Sequence, residues 1–219
     1  MADEVQTDYS KKPFWLVLFI IVSQIIFLAS LVSPESVRES MINEVQYMRG
    51  VYGDSATLSI YDSAQTMSDK VLHESGFVKK TKAIFLPEEY RRTGQVEDIK
   101  NFNTGFWVAV ERVIDGVMVN IEFALLRIYA VKPWLLMAVL VLVASTITGF
   151  LHREVKKHGF EYSSPLRHGI ARRIIYLLPI IGYLLVVTPI AMPPHVYPIV
   201  LALCGLCVAF MVSNTIKRV

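Results

Sequence analysis

The chain has 219 residues, 53% of them hydrophobic and 19% charged, with a formal net charge of +3 at pH 7. Soluble domains average about 25% charged residues, and the mean hydropathy here is +0.45, which excludes an ordinary soluble domain. There are only two cysteines, Cys204 and Cys207, which excludes a disulfide-stapled secreted scaffold.

Residues 1–13 form a polar tail that includes Lys11 and Lys12, and residues 14–32, FWLVLFIIVSQIIFLASLV, contain no Asp, Glu, Lys, Arg or His. That length suits the roughly 17–25 residues that cross a hydrocarbon core as a helix. It exceeds the roughly 7–15 apolar residues of a secretory signal, and no small-x-small cleavage site follows, so an uncleaved anchor is expected. Three more such runs follow at 133–151, 174–192 and 199–216. The expected fold class is an all-α membrane protein with four transmembrane helices and a helical extracytoplasmic module, residues 33–132, between the first two.

Within that module, Ser33 is placed as an N-cap and Pro34 at the first helical position. Val37, Met41, Val45, Met48 and Tyr52 then recur every three or four residues as one apolar stripe, which Gly50 and Gly53 end. A second helix is expected from Asp54 to Glu74, with Leu58, Tyr61, Ala64, Met67 or Ser68, and Val71 or Leu72 facing inward and Gly76 as its C-cap. From Phe77 to Asn103 the periodicity is lost, and a charged loop with one short helical turn is expected. Residues 104–130 look apolar enough for a fifth span, but Glu111, Arg112, Asp115, Glu122 and Arg127 would cost about 2.5–3.5 kcal/mol each at a bilayer centre. On a helical wheel Glu111, Asp115 and Glu122 fall within about 40° of one another. Phe106, Val110, Val113, Ile114, Val117, Ile121, Ala124, Leu125 and Ile128 cover much of the opposite face. This reads as an amphipathic helix leading into the second span, packed on the other external helices or on a partner. Lying flat on the membrane is the second reading, because surface helices carry a basic polar face rather than an acidic one.

Residues 152–173, HREVKKHGFEYSSPLRHGIARR, hold six Lys/Arg and three of the chain's five histidines. Residues 193–198, PPHVYP, hold no Lys or Arg, and residues 217–219 include Lys217 and Arg218. By the positive-inside rule both termini and the 152–173 loop are expected on the cytoplasmic side, with the 193–198 turn outside. The 33–132 module has twelve Lys/Arg against fourteen Asp/Glu, but loops beyond about 60 residues cross largely regardless of charge. The basic ends would meet anionic lipid heads. Trp15, Trp134 and Tyr197 sit at span edges, where amphipathic rings favour the interface.

His152, His158 and His168, with Glu154 or Glu161, lack the i, i+4 spacing of helical zinc ligands, so no metal or other cofactor is expected. Phe160 and Tyr162 among cations would suit single-stranded nucleic acid, but the same composition follows from membrane topology, and direct nucleic-acid contact is not expected. Cys204-Gly-Leu-Cys207 has the C-x-x-C spacing of a redox dithiol. A membrane thiol oxidoreductase is therefore an alternative, although no second thiol pair is present to relay electrons. Ala202, Gly205 and Ala209 on the same run suit close helix packing. A small transporter is the other alternative, although no span carries the ionisable residue such proteins use. Ser163 and Ser164 near His168 lack the acid and oxyanion hole of a hydrolase, so a non-enzymatic role is expected.

The stretch from Leu126 to Arg173 resembles a family of conjugative-transfer inner-membrane proteins of integrating conjugative elements and large transfer plasmids. The residues that carry the likeness are Arg127 before Pro133, Arg153, and HGFEYSSPLRHGIARR, with Glu161, Ser163, Ser164, His168 and Arg172-Arg173 in the family's order. The PPHVYP turn and the final run closing on Lys217-Arg218 also look like that family. The resemblance implies a non-catalytic subunit of a type IV secretion DNA-transfer machine, working beside its coupling ATPase or other membrane subunits, with homo-oligomerisation open. Partner-binding candidates are Glu161, Ser163, Ser164, His168, Arg172 and Arg173 in the basic loop. On the acidic helix face, Glu111, Asp115 and Glu122 are a second contact surface, for an outer partner or another copy of the chain.

Overall fold

A computed structural model describes residues 33–94, 104–159 and 165–214, together with Trp15, 18–20 and 22–23 of the first apolar run; side chains are described from residue 169 onward in the last of these segments. The expected first span, 14–32, therefore lies largely outside the described residues. Every regular element among the described residues is helical. In chain order they are α1 (Pro34–Tyr52), α2 (Asp54–Ser68) with a π-helical continuation (Asp69–Glu74), α3 (Phe77–Phe85), α4 (Glu88–Thr93), α5 (Thr104–Val131), a 3₁₀ turn (Lys132–Trp134), α6 (Leu135–His158), α7 (Pro165–Val187) and α8 (Val196–Ser213).

Local chemistry sets most of these boundaries. Ser33 Oγ accepts the Ser36 amide at 3.2 Å, capping α1 in front of Pro34, so one otherwise unpaired amide of the first turn is satisfied. Gly53 adopts φ 81° between α1 and α2, a left-handed conformation that costs glycine little. Its amide donates to the Arg49 carbonyl, and its own carbonyl accepts Thr57 N–H and Oγ1–H.

The chain divides into two compact units. The first comprises Met1–Glu39 and Asp69–Ile121. Its core is Leu72, Leu86, Tyr90, Ile114 and Met118, with Val78, Trp107, Val110 and Ile121 packed against it. Burial of one such side chain stabilises by about 1.5–3 kcal/mol. The expected charged loop from Phe77 is corrected here, because α3 and α4 occupy Phe77–Phe85 and Glu88–Thr93. With 9 and 6 residues, each spans fewer than three turns, too few for a repeated apolar stripe, and Pro87 separates them. The lysines at 79, 80 and 82 further mask the few positions, Val78, Leu86 and Tyr90, that reach the core. Residues 95–103 of that expected loop lie outside the described residues.

The second unit comprises Ser40–Ser68 and Glu122–Val219. Here α6 packs most extensively against α8, and α7 packs against α8. Glycines set the α6–α8 approach: a Cβ on Gly149 would lie 2.8 Å from the Ala209 carbonyl oxygen, and one on Gly205 would lie 2.6 Å from Ser145 Oγ. Small residues permit so close an approach of two helices. Thus the small positions at 205 and 209 do serve packing, against a matching small surface on α6. On α2 the inward position is Thr57 rather than Leu58, which is exposed.

Three helical stretches are long and apolar enough to cross a membrane: Thr104–His158, Gly169–Val187 and Val196–Ser213. The charge-free part of the first is residues 133–151. The helices overrun the expected loops. α6 continues to His158 and α7 begins at Pro165, so most of the 152–173 segment is helical rather than loop. α7 ends at Val187, before Pro189, and α8 starts at Val196 inside the PPHVYP turn. Pro179 lies within α7.

Candidate functional site

The most buried charges in the described structure are Glu44 and Arg127, each 1% exposed. Glu44 comes from α1 and Arg127 from α5, and both belong to the second unit. Arg127 Nε donates to Glu44 Oε1 at 3.0 Å and Oε2 at 3.1 Å, and Nη2 donates to Oε2 at 2.7 Å. The other donors reach the end of α7 and the strand of chain beyond it. Nη1 donates to the carbonyls of Leu185 at 2.8 Å and Thr188 at 2.5 Å, and Nη2 to that of Ile190 at 2.5 Å. Glu44 Oε2 in turn accepts the Met192 amide at 2.9 Å. The guanidinium lies 4.0 Å from the Phe123 ring centroid.

All five N–H donors of the guanidinium fork are thereby used. The last carbonyls of a helix have no intrahelical partner, and a cation at that end also meets the negative pole of the helix. Arg127 does both for α7, while Glu44 neutralises it. Residues 185–192 are thus fastened to α1 and α5. Beside this knot, Trp134 Nε1–H donates to Tyr52 Oη at 2.6 Å, and Tyr52 O–H donates to the Ala130 carbonyl at 3.1 Å. Burial pushes the Tyr52 hydroxyl above its ordinary pKa. Trp134 is therefore a hydrogen-bonded joint. A second fastening closes α8, where Lys156 Nζ donates to Asn214 Oδ1 at 3.1 Å and Asn214 Nδ2 donates to the Phe210 carbonyl at 2.9 Å.

In the sequence, Arg127 stands out only as a charge unsuited to a span and as part of the family resemblance, and Glu44 does not stand out at all. A signal was present. On a wheel of 100° per residue, Glu44 falls among Val37, Met41 and Met48, in the apolar stripe of α1. Arg127 falls within about 60° of Phe123 and Ala130 on the buried face of α5. Opposite charges that each interrupt an apolar stripe are candidates for a buried pair. The exposed Ile128 and Phe106 show that the buried face of α5 departs from the one expected.

The nominated acidic residues divide. Glu111 and Asp115 meet on Lys82 of α3 in the first unit, both at 3.0 Å. Tyr90 O–H also donates to Glu111 Oε2 at 3.0 Å. The Lys82 hydrogen bond holds the Glu111 carboxyl below the usual glutamate range, aided by Tyr90. Burial opposes the charge on Lys82, but hydrogen bonds to Asp115 and Glu111 outweigh it and raise its pKa. Much of this acidic face therefore holds α3 and α4 on α5. Glu122, half-buried, belongs to the second unit.

In the basic segment, Arg172 and Arg173 are exposed on α7 next to buried Ala171. Glu161, Ser163 and Ser164 lie outside the described residues, as does the side chain of His168. Cys204 is half-buried and Cys207 buried on α8, both as free thiols.

These features define a class: an all-helical protein with helices able to cross a membrane, whose buried charges join helices to one another. The chain belongs to the DtrJ-like family, described as IncC plasmid conjugative DNA transfer proteins, whose family model matches residues 28–218. The conjugative-transfer resemblance read from residues 126–173 thus extends over most of the chain. None of the curated proteins and none of the solved structures compared with the chain matches it.

Proposed function

We propose that the chain is a non-catalytic inner-membrane component of a type IV secretion, conjugative DNA-transfer machine, assisting assembly or the coupling ATPase. Membership of a conjugative DNA transfer family over residues 28–218 is the observation that carries this reading. The Glu44–Arg127 knot supports an assembly role, because its charges are consumed in joining helices. In this reading both termini and the 152–173 segment face the cytoplasm, and 33–132 faces away from it. Exposed Arg172 and Arg173, with Glu161, Ser163, Ser164 and His168 nearby in sequence, form the face offered to the ATPase.

Deleting the gene from its conjugative element should abolish transfer, and the wild-type gene in trans should restore it. Undiminished transfer from the deletion strain refutes the conjugative role. Glu161→Gln, His168→Ala and Arg172→Gln should each leave membrane levels unchanged while lowering both transfer and recovery of the coupling ATPase in mild detergent. If all three transfer DNA normally, the docking face is wrong. Single cysteines at positions 80 and 160, in a Cys204→Ser/Cys207→Ser background, should react with an impermeant thiol reagent from the outer and inner side respectively. The opposite pattern overturns the topology.

A further inference from the structure

In the first unit, a cavity of about 560 Å³ opens among α3, α4 and α5. Its apolar lining comes from Val78, Leu86 and Tyr90, the last two buried. Lys79, Lys82 and Arg91 bring three cations to the lining against one carboxylate, Glu111, a formal balance of +2. The Glu111 oxygens are already engaged by Lys82 and Tyr90, and Lys82 is shared with Asp115. Lys79 and Arg91 make no hydrogen bond or ion pair among the described residues. The volume falls in the roughly 300–1,000 Å³ of small-molecule sites, which combine apolar walls with a few placed polar groups. Arginine favours planar or tetrahedral oxyanions, which it grips through two N–H groups.

We propose that this cavity binds an oxyanion carried on an apolar chain, with Arg91 and Lys79 gripping the anion and Val78 and Leu86 lying along the chain. A phosphate or phosphodiester whose headgroup adds no cation is the favoured anion, because the lining already carries a formal balance of +2. Such a group can come from a lipid headgroup or from a free phosphate, and the 560 Å³ space exceeds what a bare phosphate needs. Lys82 is already paired, so it shapes the wall while Lys79 and Arg91, unpaired among the described residues, supply the charge. The site lies wholly within the first unit and is independent of any role in DNA transfer.

The test uses the full-length protein in an uncharged detergent, with binding followed by native mass spectrometry and thermal shift. The probes are dihexanoyl phosphatidylglycerol, dihexanoyl phosphatidylcholine and inorganic phosphate. Saturable binding of the phosphatidylglycerol, with phosphatidylcholine and phosphate each about tenfold weaker or more, supports the site with a lipid as source. Equal binding of inorganic phosphate would show that Val78 and Leu86 hold no apolar chain, and overturns the proposal. Lys79→Gln/Arg91→Gln should melt like wild type without ligand and weaken binding about tenfold or more, while Arg91→Lys, which keeps the charge, should weaken it less. Phosphatidylcholine binding as well as phosphatidylglycerol, no binding of any probe to wild type, or undiminished binding to the double variant each overturns the proposal.

Discussion

Arg127→Met is the sharpest probe of the fold. It removes the only cation paired with Glu44 among the described residues and releases the carbonyls of Leu185, Thr188 and Ile190. Breaking a buried pair by deleting one partner costs about 3–5 kcal/mol, and each buried carbonyl left without a donor adds about 1 kcal/mol or more. The expected loss is about 6 kcal/mol, comparable with the 5–15 kcal/mol total stability of a typical domain. Arg127→Met should therefore fail to accumulate. Glu44→Gln keeps shape and an acceptor for the Met192 amide, so it should lose about 3–5 kcal/mol. At about 2–4 °C per kcal/mol for a chain of this size, its melting temperature in detergent should fall by about 10 °C. Arg127→Lys should fall between, since an ammonium has three donors and no fork to reach acceptors on both α1 and the end of α7. The readouts are steady-state membrane level and thermal melting of the purified full-length protein by tryptophan fluorescence. Glu44→Gln and Arg127→Met both accumulating normally and melting within about 2 °C of wild type would refute the idea that this pair fastens residues 185–192.

Adding a methyl at Gly149 brings it within 2.8 Å of the Ala209 carbonyl. Gly149→Ala should therefore cost about 1–3 kcal/mol of overpacking, lowering the melting temperature, whereas Gly169→Ala, with open space around it, should not. Tyr52→Phe removes both hydrogen bonds of the Trp134–Tyr52–Ala130 chain. A loss of about 1–2 kcal/mol and a shifted tryptophan emission are expected, and an unchanged spectrum would count against the joint. For the Lys82–Glu111 cluster the pH dependence follows from the two shifts. Glu111 is held low when folded, so its contribution is present above the unfolded glutamate value of about 4.3 and fades as pH falls through the folded value. Lys82 is held high, so its contribution is complete below about 10.4 and disappears as pH rises through the folded value. Melting curves at pH 3–11 should show both flanks, and Lys82→Met should flatten them.

Much of the molecule can be read along the chain because it depends on local or one-body physics. The run of uncharged side chains makes residues 133–151 long and apolar enough to cross a membrane whatever lies beside them. Ser33, Pro34 and Gly53 act through dihedral angles and caps within a few residues, so the start and end of α1 agree with expectation. The charges on 104–130 can likewise be read without knowing what the helix packs against.

Tertiary structure alone decides what each charge is for. Glu111 and Asp115 look outward on a wheel, and only the packing of α3 shows them holding Lys82. Glu44 and Arg127 stand 83 residues apart, and nothing local says which acid meets which base. The helices α3 and α4 are too short to persist through their own hydrogen bonds, since nucleating a helical turn is unfavourable in isolation. They exist because Leu86 and Tyr90 find Leu72, Ile114 and Met118 across the unit. Sequence fixes properties that each residue carries with it, whereas pairings, and the short elements that depend on them, arise only when distant parts of the chain meet.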